Sequence, residues 1–372
     1  MKPVAFHEVL GEKHFVKVEP ERFSSLVLRY RNQDAAKTVS LDSLNDGEWK
    51  TYFGSFTPFP NSFKVPLALC YHGHQFGNYN PYIGDGRGFL YAQFIENDTK
   101  RLLDLGTKGS GTTPFSRGGD GRLTLKGAFR EVLASEYLNA LGVKSCKILS
   151  VFETGEQLER QDEPSPTRSA VLVRLSHSHI RIGSFQRLAY LNQNEEILNL
   201  AKYVIKYYYP NIKSKVPPNE MIRQLLNSLI NNVAEMVAGW MSSGFVHGVL
   251  NTDNFNVTGE TFDYGPWRFL VDMNFKFTAA YFDYEGRYAY GKQPEAALWA
   301  LCRFADCFTE IVSLEILEEE LKKFYPKMQV ALFNKLCWRF GILQPTDIKQ
   351  DVFLSLFFSA TKKSKIKLDY LF

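Results

Sequence analysis

Residues 107–143 read TKGSGTTPFSRGGDGRLTLKGAFREVLASEYLNALGV: a lysine, a glycine-dense run, then an apolar-periodic segment. The run from Lys108 to Arg122 is too rich in Gly and Pro for regular structure and predicts a loop. Before it, Gly88 to Lys108 predicts a β-hairpin, with GFLYAQFI and KRLLDLGTK as strands and Glu96-Asn97-Asp98 as the turn. After it, the spacing predicts a helix from about Leu125 to Leu141. Leu125, Phe129, Val132, Leu133, Tyr137 and Leu141 fall on one face, and Gly142 is the stop.

The same segment carries chemistry. Positions 127, 131, 134 and 138 form one helical strip, Gly-Glu-Ala-Leu, on which Glu131 is the sole charge. A carboxylate facing protein needs a cation partner, and Lys108 at the end of the preceding strand is the candidate. Protein kinases orient the lysine that touches nucleotide phosphates with a helix Glu in this way. A surface lysine and an unrelated glutamate fit the spacing equally well.

Further out lie four more polar groupings. Gly84-Asp85-Gly86-Arg87-Gly88 precedes the hairpin; it reads as an anion site of backbone N–H groups and an Arg, or as a tight turn. In RLSHSHIRIG, from Arg174 to Gly183, an extended strand would put His177, His179 and Arg181 on one face. No third ligand accompanies the histidines, so they read as structural, while the arginines suit phosphate oxygens. His72 and His74, in YHGHQFG, read as part of a structured loop. Last comes HGVLNTDNFNVTGETFDYG, residues 247–265, with Asp253-Asn254 and then Asp263. Turn-forming side chains explain such residues blandly. A base and two oxygen donors for a divalent cation explain them chemically. Kinases place these groups in the same chain order, but with Asp and Asn five residues apart and DFG in place of DYG.

The remaining chain divides by composition. QLERQDEPSPTRS, residues 157–169, reads as a polar loop before a strand, AVLVRL. Ile222 to Ser243 predicts a long helix ending at Gly244, and a second helix is expected near Glu295 to Phe308, with helical segments to the end. The expected fold class is α+β: a mixed β/α part, residues 1–185, then a mainly helical part, residues 186–372, with the polar motifs near the join.

Composition narrows the function classes. The 372 residues carry 44 Lys and Arg against 40 Asp and Glu, a net charge of +4 that calls for neither nucleic acid nor an anionic membrane. Five scattered cysteines without a CxxC argue against a disulfide framework or a thiolate zinc site. No apolar run approaches the ~20 residues of a membrane span, and the N-terminus resembles no leader, so the cytoplasm is the expected compartment. The basic tail SATKKSKIKLDYLF reads as a solvated end.

Taken in order, HGHQFG (72–77), GDGRG (84–88), TKGSGTTPFSRGGDGR (107–122), REVLASEYLNALGV (130–143), SHIRIGSF (178–185), HGVLNTDNFNVTGETFDYGPW (247–267) and GRYAYGKQPEAALWALCRFA (286–305) resemble the selenoprotein O family. The blocks span roughly residues 70–310. The resemblance implies a two-lobed protein-kinase-like fold that binds ATP in reversed orientation and transfers AMP to protein hydroxyls. Lys108 would then contact phosphates and Glu131 would orient it. Gly84, Gly86, Arg87, Asp120, Gly121, Arg174 and Arg181 would line the nucleotide site. Asp253 would be the general base, with Asn254 and Asp263 on Mg²⁺, or Mn²⁺ in its place. Expected partners are ATP and proteins bearing Ser, Thr or Tyr hydroxyls, the chain itself among them. The alternatives are kinase-type phosphotransfer and a nucleotide-binding scaffold without activity.

Overall fold

The computed structural model describes residues 2–213, 215–343, 345, 347–364 and 366–372; Lys365, within the basic tail, lies outside them. The first half builds a nine-stranded sheet in which every pairing among the described residues is antiparallel. Its central strands are β1 (Leu67–Leu69), β2 (Leu90–Ile95), β3 (Leu102–Lys108), β4 (Lys147–Leu158) and β5 (Thr167–Ser176). They are ordered β1-β2-β3-β5-β4, with Phe15–Lys17 and Val27–Arg31 at the two ends. The predicted hairpin is thus β2–β3, and it lies at the centre of the sheet.

Alternation along β3 and β5 explains why these residues form a sheet buried on both faces. Leu103, Leu105, Val171, Val173 and Leu175 pack with Trp49, Phe53 and Phe56 on one side. Ala170 and Leu172 point the other way, into the core shared with the helices. The register sets Lys108 opposite Leu172, Gly106 opposite Arg174 and Asp104 opposite Ser176. Directly opposed residues share a face, so Asp104, Gly106, Lys108 and Arg174 all look toward the helical side.

The helix α1 (Leu125–Ala140) begins where Thr124 Oγ1 accepts the Gly127 N–H at 3.0 Å. Its buried strip holds Ala128, Glu131, Ala134 and Leu138, whereas Leu133 is 61% exposed and Tyr137 lies edge-on to Phe269 at 4.6 Å. The face expected from large apolar residues is therefore corrected in part: Leu125 and Val132 are buried as expected, but Leu133 and Tyr137 are not. Small side chains let α1 approach the sheet closely enough for Glu131 to reach Lys108.

Helices dominate afterwards: α2 (Ile182–Tyr190), α3 (Asn194–Tyr208), α4 (Pro218–Ser243), α5 (Gln293–Ala305) and α6 (Phe324–Arg339). As expected, α4 buries Leu225, Leu229, Val233, Val237 and Trp240, and it ends at Gly244 with φ +70°. The Trp240 indole donates to Thr261 Oγ1 at 3.0 Å, fastening the helix to the segment that carries Asp253 and Asp263.

Three local expectations change. The strand β5 stops at Ser176, so residues 177–181 do not alternate as a strand; the chain turns to start α2. YHGHQFG contributes to a two-stranded hairpin, Gly73–Gln75 with Asn78–Asn80. The polar loop shrinks to residues 159–166, because Gln157 and Leu158 pair with Arg168 and Thr167. Among the described residues no helix is long and apolar enough to cross a membrane.

Candidate active site

Lys108 ends β3, and its buried Nζ is hydrogen-bonded to Glu131 of α1, itself 2% exposed. Asp263 Oδ1 lies 3.6 Å from the same Nζ. Arg174, on β5, donates to Asp263 Oδ1 at 2.6 Å. Arg181, at the start of α2, bonds the other Asp263 oxygen, the Asp253 carbonyl at 2.6 Å and Asp85 Oδ1 at 3.4 Å. Both guanidinium groups lie over the Phe262 ring, at 5.2 and 4.7 Å. Three cations from three separate elements thus converge on one carboxylate.

Asp263 has φ +55°, a left-handed backbone that Asp tolerates better than most residues. Burial alone would raise its carboxyl, but Arg174, Arg181 and Lys108 hold it well below the usual carboxylate range. Asn254 donates its amide N–H to the Val249 carbonyl at 2.9 Å, which leaves its oxygen as the remaining acceptor.

These residues border a cavity of about 700 Å³. Gly84, Gly86, Arg87, Lys108, Asp120, Gly121, Arg174, Arg181, Asn254 and Asp263 all line it, so ten of the twelve expected positions meet there. Glu131 stands behind Lys108. Asp253 sits beside the cavity, under the 73–80 hairpin, where a side chain at Gly73 would meet its Oδ1 at 3.0 Å. His74 N–H donates to Thr252 Oγ1 at 2.7 Å and Phe76 N–H to Asn251 Oδ1 at 3.0 Å, clamping the hairpin to this loop. Burial pushes the Asp253 carboxyl up to about 6.

The wall holds seven cations, Arg87, Lys108, Arg117, Arg122, Arg160, Arg174 and Arg181, against three carboxylates, Asp85, Asp120 and Asp263. That surplus of four equals the formal net charge of the whole chain, +4, so the rest of the molecule is balanced. Glu131 behind Lys108 and Glu156 beside Arg122 offset part of that surplus, and what remains suits an anion.

Some lining residues escape sequence reasoning. Asp85 stands inside the GDGRG motif, but its job of accepting from Arg181 and the Leu69 N–H depends on tertiary contact. Arg160 gives no local signal; it arrives from the tip of the β4–β5 connection and pairs with Asp120 at 2.8 Å. The glycines also have a packing role besides the expected close approach to a ligand. A Cβ at Gly84 would meet the Phe115 ring at 2.5 Å and one at Gly86 the Phe115 carbonyl at 2.7 Å. They let the two loops of the cavity wall pack together.

Asp263 and Asn254 present a carboxylate and an amide oxygen to one cavity. No cluster of three or more His, Cys, Asp or Glu among the described residues forms a complete metal cage. That donor set fits a hard divalent cation completing its shell with phosphate and water. His72 and His74 are structural: His72 Nδ1 meets Tyr79 Oη at 2.8 Å, and His74 Nδ1 meets Gln186 Nε2 at 2.8 Å.

Comparison with known proteins gives the class. A family model described as protein adenylyltransferase SelO matches residues 4–372. The chain belongs to this family. It is similar to proteins named protein nucleotidyltransferase YdiU. The one from Synechocystis sp. is 46% identical over 334 residues, covering 89% of this chain and 69% of that protein. The one from Trichormus variabilis is 44% identical, covering 96% and 73%. The one from Gloeobacter violaceus is 51% identical, covering 77% and 58%.

Proposed function

We propose that this chain transfers AMP from ATP to Ser, Thr or Tyr hydroxyls of proteins and releases pyrophosphate. The observation that carries the reading is the convergence of Lys108, Arg174 and Arg181 on Asp263 at the wall of a cavity lined by more cations than carboxylates. Fixed guanidinium groups suit the negative charge that builds on the β- and γ-phosphates as pyrophosphate departs. Glu131 orients Lys108 toward the same phosphates. Asp253 accepts the proton as the hydroxyl oxygen bonds to the α-phosphorus and the bond to the bridging oxygen of pyrophosphate breaks. Its carboxyl near 6 leaves it mostly ionised at pH 7, yet basic enough for the task.

Asn254 and Asp263 would hold Mg²⁺, with Mn²⁺ as the alternative, and the ion would supply charge neutralisation at the phosphate oxygens. Gly84, Gly86, Arg87, Asp120, Gly121, Arg174 and Arg181 would form the nucleotide site. In this reading the chain has a two-lobed, protein-kinase-like fold, residues 1–185 and 186–372, with the division inside α2 and the nucleotide between the lobes. The compartment is the cytoplasm.

Incubation with ATP labelled at the α-phosphate, and separately at the γ-phosphate, tests the reaction. Label is expected on protein from the α position only. Label from γ alone would assign kinase-type phosphotransfer instead, and nucleotide binding without any transfer would make the chain a scaffold.

A further inference from the structure

Beneath Arg174 lies a ring that the proposed chemistry leaves unused. His179 is 4% exposed, and its Nε2 lies 3.1 Å from Arg174 Nε. A guanidinium nitrogen can only donate, so His179 Nε2 must be the acceptor and its proton must sit on Nδ1. Nδ1 makes no hydrogen bond and lies 3.7 Å from Asp104 Oδ2, and that oxygen accepts the His179 backbone N–H at 2.7 Å, which ties the residue to Asp104. Asp104 is 0% exposed and is held in turn by Gln93 Nε2 at 2.7 Å.

Two further features select this arrangement. Gly106 stands on β3 directly opposite Arg174, and a Cβ there would overlap His179 Nε2. The missing side chain makes the space the ring occupies. Burial, reinforced by the charge of Arg174, holds the imidazole below its ordinary range, so it stays neutral and keeps the lone pair that Arg174 needs.

We infer that His179 is a positioning residue for nucleotide transfer: its Nε2 anchors the Nε edge of Arg174 and leaves the outer guanidinium nitrogens for Asp263 and phosphate. This rests on the reading above in which Arg174 contacts the nucleotide phosphates. The line Asp104–His179–Arg174–Asp263 runs from the closed interior of the sheet to the cavity. It sets the rotation of a planar group whose usefulness depends on orientation. His179 touches neither nucleotide nor acceptor.

The test pairs three variants with one spectrum. His179→Leu keeps an apolar body of similar size without an acceptor, and should raise KM for ATP about tenfold, the scale of one hydrogen bond to a charged group. His179→Gln, whose amide oxygen reaches the Nε2 position, should recover most of that loss. In an Arg174→Lys background, which lacks an Nε–H, His179→Leu should add little. Wild-type ¹⁵N spectra should show the Nδ1–H tautomer at His179, a readout that needs no variant to fold. The Nε2–H tautomer, equal KM for the Leu variant and wild type, or an undiminished Leu effect in the Lys background would each overturn the proposal. If Arg174→Lys alone leaves ATP usage unchanged, the nucleotide role of Arg174 fails, and the tautomer still reports separately on the His179 geometry.

Discussion

Asp104 and Asp263 are both carboxylates set against the same face of the central sheet, yet their neighbours differ in kind. Asp104 is enclosed by neutral donors, Gln93 at 2.7 Å, the His179 N–H at 2.7 Å and Tyr208 Oη at 3.3 Å. No Lys or Arg pairs with it among the described residues. Burial favours its protonated form, but the His179 side chain first, then His7 and the Gln93 hydrogen bond, bring it below the ordinary carboxylate range. Asp263 is surrounded by Lys108, Arg174 and Arg181. Neutral donors suffice where nothing has to enter. A cationic surplus is useful only where an anion arrives to neutralise it, and that sets the cluster at the cavity apart from the closed one.

The largest expected effect tests this division directly. Asp263→Asn preserves the left-handed backbone and removes only charge. Transfer measured with α-labelled ATP should fall on the order of 10³-fold. Retained activity would make Asp263 a second Asp104. Lys108→Met should lower kcat/KM on the order of 10²-fold, because a phosphate contact is lost and Glu131 is left buried beside an apolar chain.

The closed cluster should answer in the opposite currency. Gln93→Leu strips a donor from Asp104 and an acceptor from the His7 N–H, which lies 2.8 Å away. Urea denaturation should show a loss of about 2–3 kcal/mol, with KM for ATP little changed while the protein is folded. A change in KM without a change in stability would erase the distinction.

Acid should separate the two clusters more finely. With Asp253 near 6, kcat/KM should fall roughly tenfold per pH unit below that value as the base is protonated. His7, in the closed cluster, is held down to about 4 by burial. The unfolded chain, with His near 6.5, binds that proton first, so stability falls as pH drops from about 6.5 towards 4. The share of His7 in that loss is about 3 kcal/mol at most, and His72 and His247, likewise held to about 4 by burial, add to it. pH-rate profiles and thermal melts across this range check the two limbs independently.

Much of the candidate site was legible because its parts lie in local motifs: a lysine ending a strand, a lone charge on a helix strip, an Asp-Asn pair before a further Asp. Strand β3, helix α1 and helix α4 followed from periodicity. The exposed side of α1 did not, since counting large apolar residues misses a helix that packs through alanines. Asp104 drew no attention, because a single Asp in the strand LLDLGTK has no sequence partner; Gln93, His179 and Tyr208 come from three other elements. Arg160 was invisible for the same reason. Asp85 stands among glycines that carry the stronger local signal, and its contacts with Arg181 and the Leu69 N–H arise only in the folded chain.

The register of β3 joins the two clusters. Asp104, Gly106 and Lys108 alternate with Leu103, Leu105 and Thr107, which are buried on the opposite face. Slippage by one residue would turn every one of these side chains over. Asp104 and Lys108 would enter an apolar core, and Leu105 would fill the place of the His179 ring. A chain paired in that way loses packing and polar satisfaction together, so the register that packs the sheet is also the one that aligns Lys108 with Arg174.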